Sequence, residues 1–418
     1  MNPEREQALR TLVEAWLSHR PVSEWHREAP TEIALRRAEV LRPGRPGLLD
    51  VVAEVNGRLA HIVVGLRTSD DEPHFLRAGD EVVLGLLEDE EGLAVGTDAL
   101  RDAQLAPLTL ATIRGVDPRP GPVALGQDDE EATMLDCGSR GDLWVFPWLR
   151  PGPHPAVDFL EALDGAGFNH VAAPLSRWTW GHRDLGFVQE PLADRSGGWA
   201  LAMTSLRDLY ALGGRPEAAG GDFGPEAHAL GTMTARMHLA LDRAFDRHPE
   251  PVSAWVDSAE ATIAAADPAL LEAPGMADLT KALRAADARL PVIRTHGDFH
   301  LGRTSRTDQG WVVSDCFPGG VPPGGTAPIG RSPLADLADL LWSLHQASLE
   351  AALERDPTGR LDLAPLGQAW EMRNRRAVLN GYLSTPGITG LTGPDRDVVR
   401  NLVAIFELAR SLRTGSSP

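Results

Sequence analysis

The spacing of apolar residues changes along this 418-residue chain, and that change restricts the folds open to it. In the first part, apolar residues fall in short alternating or β-branched runs, whereas from Trp199 onward they recur every three or four residues, as on helix faces. Two strand-like runs, Val292–Thr295 and Trp311–Ser314, interrupt the helical part. Seven helices are predicted there, at about residues 199–212, 224–245, 252–267, 276–289, 333–355, 365–384 and 394–413.

The first part of the chain combines a helix with strands. Residues 4–19 place apolar side chains on one helical face, and two β-rich runs, Leu48–Val55 and Leu59–Leu66, flank Asn56-Gly57. Asn-Gly between two such runs is the strongest short signal for a β-hairpin. A stretch rich in Pro, Gly and acidic residues near 115–130 predicts a domain boundary.

Beyond that boundary the pattern again mixes strands and a helix. Strands are predicted at Leu143–Leu149 and Gly186–Gln189, and a helix at Pro155–Ala166. Much later, within the helical part, Pro318–Gly330 is predicted to be a Gly- and Pro-rich loop. Because a chain of this length exceeds one compact core, we expect several α+β units. Three parts are predicted, residues 1–114, 130–195 and 196–418.

Composition excludes several classes of protein. The net charge of −19 disfavours nonspecific binding to nucleic acid or to anionic membrane, so we expect neither as a partner. The first residues lack the pattern of a signal peptide and no apolar run is long enough to span a bilayer, which predicts a cytoplasmic protein. Cys137 and Cys316 are too few for a disulfide framework or a cysteine-rich zinc site.

Two aspartates stand where phosphoryl transfer needs them. The run His296-Gly297-Asp298-Phe299-His300-Leu301-Gly302-Arg303 follows a strand-like segment, and Asp315 ends the next strand-like run. In kinase chemistry one carboxylate accepts the proton of the attacking hydroxyl and another holds magnesium against the nucleotide phosphates. We predict these roles for Asp298 and Asp315, which neighbouring strands are expected to bring together. The alternative is that both are ordinary turn and strand-end acids.

The same run, together with Gly310-Trp311-Val312-Val313, resembles the catalytic region of actinobacterial maltokinases. Further resembling segments include Gly198–Ala202, Glu226–Gly231, Ser332–Asp336 and Arg373-Asn374-Arg375. The resemblance implies a bilobal, protein-kinase-like (aminoglycoside phosphotransferase-like) α+β fold with an N-terminal α+β cap and a mostly helical C-lobe. It also implies transfer of the γ-phosphate of ATP to a sugar hydroxyl with Mg²⁺; related enzymes act on glucosamine instead of maltose.

The resemblance assigns expected roles to individual residues. Asp298 is the expected catalytic residue and Asp315 the expected metal ligand. Nucleotide contacts are expected from Arg140, Asp158, Gln189 and Glu190. Acceptor contacts are expected from His296, Arg303, Glu371, Arg373, Asn374, Glu407 and Arg410. The histidines beside Asp298 fit structural hydrogen bonding better than a zinc site.

The sequence departs from the family pattern at charged positions. Arg303 stands where the family has Gln or Asn as a second magnesium ligand, and a guanidinium cannot coordinate a cation. Near Trp144 the family has a phosphate-binding lysine, but the only lysine of this chain is Lys281. Arg140 and Arg150 are the candidate replacements for that lysine, and Asp158 stands for the glutamate that would orient it. Arg303 itself is a candidate for direct contact with phosphate.

Three functions follow from these observations. The interpretation favoured by the chemistry is a pseudokinase that binds a sugar, a nucleotide or a partner enzyme of trehalose and α-glucan metabolism. The alternative is an active ATP-dependent kinase of maltose or glucosamine type, with Asp298 as the base. A weaker alternative is an aminoglycoside-type phosphotransferase, whose cationic acceptors suit an acidic protein.

Overall fold

The structure is a computed structural model, and it describes residues 3–20, 32–68, 82–89, 91–117, 121–192, 195–218, 221–317 and 330–413. The chain forms two compact units. The first unit holds the described residues up to 158 together with 173–192, and the second holds 159–172 together with those from 195 onward. The predicted loop Pro318–Gly330 lies outside the described residues except for Gly330.

The bounds of the elements are as follows. The helices are α1 (Pro3–His19), α2 (Leu105–Arg114), α3 (Pro155–Gly165), α4 (Gly198–Leu212), α5 (Gly224–Ala244), α6 (Val252–Ala266), α7 (Pro274–Ala285), α8 (Pro333–Arg355), α9 (Ala364–Leu383), α10 (Thr389–Thr392) and α11 (Arg396–Arg413). The strands are β1 (Ile33–Arg42), β2 (Gly47–Val55), β3 (Arg58–Thr68), β4 (Val83–Asp89), β5 (Gly92–Asp98), β6 (Ala124–Asp128), β7 (Thr133–Asp136), β8 (Asp142–Val145), β9 (Trp148–Leu149), β10 (Pro174–Trp180), β11 (Arg183–Gln189), β12 (Ser196–Gly197), β13 (His248–Pro251), β14 (Arg289–Val292), β15 (Thr304–Thr307) and β16 (Gly310–Val313).

Two antiparallel sheets form the first unit. One has the order β1-β2-β3-β5-β4, with β9 also paired to β3, and α1 packs Leu12 and Trp16 into its core. The other has the order β10-β11-β8-β7-β6 and shares a core with α2. The predicted hairpin at Asn56-Gly57 is confirmed, with both residues at positive φ, 49° and 80°, as the tight turn between β2 and β3 requires.

Helices dominate the second unit. The long helix α8 is buried along most of its length and packs against α4, α9 and α11. Helices α5 and α9 cross closely because Gly231 and Gly381 lie at their contact: a Cβ at Gly231 would stand 2.1 Å from the Val378 carbonyl oxygen, and one at Gly381 would stand 2.0 Å from that of His228. All seven predicted helices of this part are confirmed, with ends within about four residues of the expected ones.

Two strand predictions need correction. The predicted strands Val292–Thr295 and Trp311–Ser314 are not neighbours: β14 ends at Val292 and pairs with β13, whereas β16 forms a hairpin with β15. The predicted strand Leu143–Leu149 is divided into β8 and β9, which join different sheets. Pro147, which has no N–H to donate to a ladder, lies between them. Within the described residues, no helix is both long and apolar enough to cross a membrane.

Candidate functional site

The loop that carries Asp298 is fixed by the first turn of α8. The carboxylate of Asp336, which is fully buried, accepts hydrogen bonds from the backbone N–H groups of His296 (2.8 Å) and Gly297 (2.9 Å). The same carboxylate contacts the imidazole of His238, whose Nε2 lies 3.3 Å from Oδ2. Gly297 adopts a φ of +89°, which a residue with a Cβ rarely adopts. The chain therefore turns sharply at Gly297 and presents Asp298 from a rigid support.

Asp298 and Asp315 meet through Arg303, although their strands are not paired. Arg303 ends a 3₁₀ turn, Leu301–Arg303, five residues after Asp298. Its Nη2 donates to Asp298 Oδ2 at 3.2 Å and its Nη1 donates to Asp315 Oδ2. One planar guanidinium thus bridges the two carboxylates that the sequence predicts for phosphoryl transfer.

Further arginines surround Asp298. Arg410 of α11 donates through Nη2 to Asp298 Oδ1 at 2.8 Å, and its Nε lies 3.8 Å from the buried Asp339 of α8. Arg331 lies 3.6 Å from the other oxygen of Asp339 and donates to the Gly297 carbonyl oxygen at 2.8 Å. We call Asp298, Asp315, Asp339, Arg303, Arg331 and Arg410 the acid–arginine cluster. Its formal charges cancel.

The cluster shifts the pKa of two of its members, Asp298 and Arg303. Burial raises the pKa of Asp298, but contact with His300 and the charges of Arg303 and Arg410 outweigh it, so the pKa lies well below the ordinary value of a carboxyl. Burial lowers the pKa of Arg303, but Asp315 and Asp298 raise it above its ordinary value. These shifts favour the anionic form of Asp298 and the cationic form of Arg303 at neutral pH.

His296 has a structural role in the loop. Its ring is 2% exposed, and its Nε2 lies 2.8 Å from the backbone oxygen of Asp315. Burial lowers its pKa, despite the opposing effect of the Asp336 carboxylate. His300 accepts a hydrogen bond from the N–H of Gly302. Both histidines thus make structural hydrogen bonds in the loop, and the expected contact of His296 with an acceptor stays a prediction.

The other residues predicted for the acceptor lie on α9 and α11. Glu371 Oε2 lies 2.9 Å from Nδ1 of His345, and Glu407 forms a bidentate pair with Arg375 at 2.6 Å for both bonds. Arg375 also lies 3.6 Å from Glu371. We call His345, Glu371, Arg375 and Glu407 the acceptor cluster. Glu407 is three residues before Arg410, so α11 presents both clusters on one face.

Two predicted acceptor residues are engaged elsewhere. Arg373 forms a bidentate pair with Asp222, with bonds of 2.8 and 2.6 Å. Asn374 is fully buried and donates to the carbonyl oxygen of Trp370 at 2.8 Å. The structure therefore does not bring these two together with Asp298.

The residues predicted to contact nucleotide all lie in the first unit. Arg140 donates to the carbonyl oxygens of Cys137 (2.9 Å) and Pro122 (2.6 Å). Asp158, in the first turn of α3, pairs with Arg177 at 3.1 Å. Gln189 is buried at the end of β11, and the N–H of Glu190 donates to the Ala173 carbonyl oxygen at 2.8 Å. Their roles toward a nucleotide stay predictions.

The acid pair does not fit the magnesium ion that kinases use. Each of the four carboxylate oxygens of Asp298 and Asp315 already accepts a hydrogen bond, from Arg303, from Arg410 or from the N–H of Phe317. Magnesium requires close octahedral oxygen ligands, and here a guanidinium lies between the oxygens. Within the part of the chain that is described, no group of three or more His, Cys, Asp or Glu side chains is arranged to hold a metal.

Sequence reasoning missed several members of these clusters. Asp336 and Asp339 were not singled out, although two acids three residues apart at a helix start share a face. His345 lies further along the same helix, and Trp342 lies between it and Asp339 in sequence. No local signal marks Arg331, and Arg375 was noted only as part of a resembling segment, because their contacts depend on helices that meet only in the folded chain.

The sequence is similar to proteins named glucosamine kinases. No profile of a known protein family matches the sequence. The chain is 28% identical over 386 residues to a glucosamine kinase of Streptacidiphilus jiangxiensis, covering 84% of this chain and 82% of that one. It is 28% identical over 267 residues to a glucosamine kinase of Mycolicibacterium smegmatis, covering 59% of this chain and 63% of that relative's length.

Solved structures agree at the level of the fold. A glucosamine kinase, crystal form A, matches with a TM-score of 0.64 and 21% identity over 99% of this chain and 93% of that one. A glucosamine kinase in complex with glucosamine, ADP and inorganic phosphate matches with a TM-score of 0.60 and 20% identity over 99% and 94%. The predicted kinase-like α+β fold is thereby confirmed. These relatives are named glucosamine kinases and not maltokinases, and they favour the active-kinase alternative over the pseudokinase interpretation.

Proposed function

We propose that this chain is an ATP-dependent sugar kinase whose acceptor is an amino sugar of the glucosamine type. The observation that carries the proposal is Asp298, which stands on a loop anchored by the buried Asp336 in a chain similar to glucosamine kinases over most of its length. A kinase needs a carboxylate at this point to orient the acceptor hydroxyl and accept its proton. The relatives' names support glucosamine over maltose.

The surroundings of Asp298 suit a cationic acceptor. Besides Asp298, the acid–arginine cluster contains the carboxylate of Asp339 on α8. The acceptor cluster contains those of Glu371 on α9 and Glu407 on α11. An ammonium group of the acceptor offers three donors and takes the place of an arginine as partner of one of these acids. The indole N–H of Trp342 has no hydrogen-bond partner among the described residues, and it is a candidate donor to a sugar hydroxyl.

The assay for this proposal is acceptor-dependent ADP release from ATP with glucosamine, maltose, glucose and an aminoglycoside. We expect turnover with glucosamine, and a loss of about 10²- to 10⁴-fold in Asp298→Asn, because that is what a positioned base contributes. Glu226→Gln removes an acid paired with Arg306 on the protein surface and should leave turnover unchanged. Equal activity of Asp298→Asn and the unmodified chain would refute the proposal.

A second candidate function is a non-catalytic protein that binds the same ligands. The observation that favours it is the bridge from Arg303 to both carboxylates, together with the absence of any lysine before Lys281. A pseudokinase would gain thermal stability with glucosamine or ADP but release no ADP from ATP with any acceptor. An aminoglycoside kinase would turn over only the drug in the same panel.

A further inference from the structure

The environment of Arg303 points to a departure from ordinary kinase chemistry. Its guanidinium donates to one oxygen of Asp298 and one oxygen of Asp315, so it occupies the space between the two acids. The remaining oxygens accept from Arg410 and from the N–H of Phe317, at 2.8 and 2.9 Å. A divalent cation would have to displace a positive group and compete with four existing hydrogen bonds.

Arg303 is also held in place by its own backbone. Its N–H donates to the His300 carbonyl oxygen at 2.9 Å, and its carbonyl oxygen accepts from Ser314 at 3.0 Å. The second bond ties the 3₁₀ turn directly to the residue before Asp315. The backbone of Arg303 is therefore fixed beside Asp315, and from that position its guanidinium reaches both carboxylates.

We infer that Arg303 is the resident cation of the Asp298–Asp315 pair, in place of a divalent metal ion. The unmodified chain binds no divalent metal there, and the pair becomes a metal site only when Arg303 is replaced by a neutral residue. In Arg303→Gln, two carboxylates and an amide oxygen would converge, and these are the hard oxygen ligands that Mg²⁺ and Mn²⁺ prefer. The inference rests on the proposed function only because it treats Asp298 and Asp315 as the two acids at which phosphoryl transfer would take place.

The test is Mn²⁺ binding followed by electron paramagnetic resonance, with Mn²⁺ alone as the probe. The unmodified chain should bind no Mn²⁺ more tightly than about 1 mM, whereas Arg303→Gln should bind one ion at least about tenfold more tightly. Arg306→Gln is the matched control, because Arg306 lies three residues on and pairs with Glu226 instead of the acid pair. It should behave like the unmodified chain.

Two outcomes would overturn the inference. One is tight binding of a single Mn²⁺ by the unmodified chain that disappears in Asp315→Asn. The other is a folded Arg303→Gln that gains no binding. If Arg303→Gln does not fold, as judged by circular dichroism, Arg303→Met takes its place, because Met removes the charge and keeps the aliphatic length. Mn²⁺ binding by Arg303→Met, compared with that by the unmodified chain, then decides the role of Arg303.

A nucleotide measurement adds an independent outcome. With Arg303 as the cation, ADP should raise the melting temperature of the unmodified chain equally in EDTA and in magnesium. Stabilisation that requires magnesium would contradict the inference. If ADP stabilises the chain under neither condition, the proposed kinase function fails, while the Mn²⁺ measurements still decide the role of Arg303.

Discussion

Asp298 is a carboxylate whose charge the protein maintains, and its interactions make stability depend on pH. Its pKa in the folded chain lies below the ordinary value of about 3.9 in an unfolded chain, because His300, Arg303 and Arg410 outweigh the effect of burial. A lowered folded pKa contributes stability that is present above the unfolded pKa and is lost as the pH falls toward the folded pKa.

We therefore expect the stability difference between the unmodified chain and Asp298→Asn to be largest near neutral pH and to shrink below about pH 4. Urea unfolding at several pH values measures it. Glu226→Gln, in an ion pair whose side chains are more than 30% exposed, should change stability little at either pH. A difference between the unmodified chain and Asp298→Asn that is constant with pH would contradict the proposed charge of Asp298.

Arg303 shows the limit of sequence reasoning at a single position. The residue type alone predicted the loss of one metal ligand, since a guanidinium has only donors. Sequence could not predict that the same side chain would span both acids, because that depends on the register of β15 with β16 and on the 3₁₀ turn before them. Arg410, about 110 residues away in sequence, reaches Asp298 only through the packing of α11 on α8.

The crossing of α5 and α9 depends on two glycines. A Cβ at Gly231 or Gly381 would meet a backbone carbonyl oxygen of the facing helix, which cannot rotate away as a side chain can. Gly231→Ala should therefore destabilise the protein by about 1–3 kcal/mol or more, the usual cost of overpacking. Gly275→Ala is the control, because nothing lies within 4 Å of the added Cβ on α7. Urea midpoints that fall equally in both variants would refute a close crossing.

Helices were more predictable than strand pairing. The seven C-terminal helices follow from apolar spacing, which is local, and their ends carry local signals such as Pro333 after the capping Ser332. The β2–β3 hairpin was also predictable, since its turn is encoded in two residues. The pairing of β14 with β13 was not, because about 40 residues and two helices separate the strands and no short turn specifies their register.

Over the whole molecule, the sequence identified the fold and the two acids but not the charge balance around them. The two clusters draw their residues from the loop and turn around Asp298 and Arg303, from Asp315 after β16, from Arg331 before α8, and from α8, α9 and α11, all within the second unit. No sequence window contains them, so only the folded chain reveals that every acid near Asp298 has an arginine or histidine partner. That balance distinguishes this chain from a simple acidic pocket.

Because both clusters lie in the second unit, an acceptor should stabilise that unit directly. At 100 times its dissociation constant, a ligand adds about 2.7 kcal/mol to the free energy of unfolding. Amide hydrogen exchange then slows about 100-fold wherever it requires an opening that releases the ligand. With glucosamine, hydrogen exchange should therefore slow in α8 and α11, and maltose at the same concentration should have less effect. The β2–β3 hairpin of the first unit serves as the internal reference. Protection confined to that hairpin, with none in α8 or α11, would place the acceptor away from Asp298 and refute the assignment of the acceptor cluster.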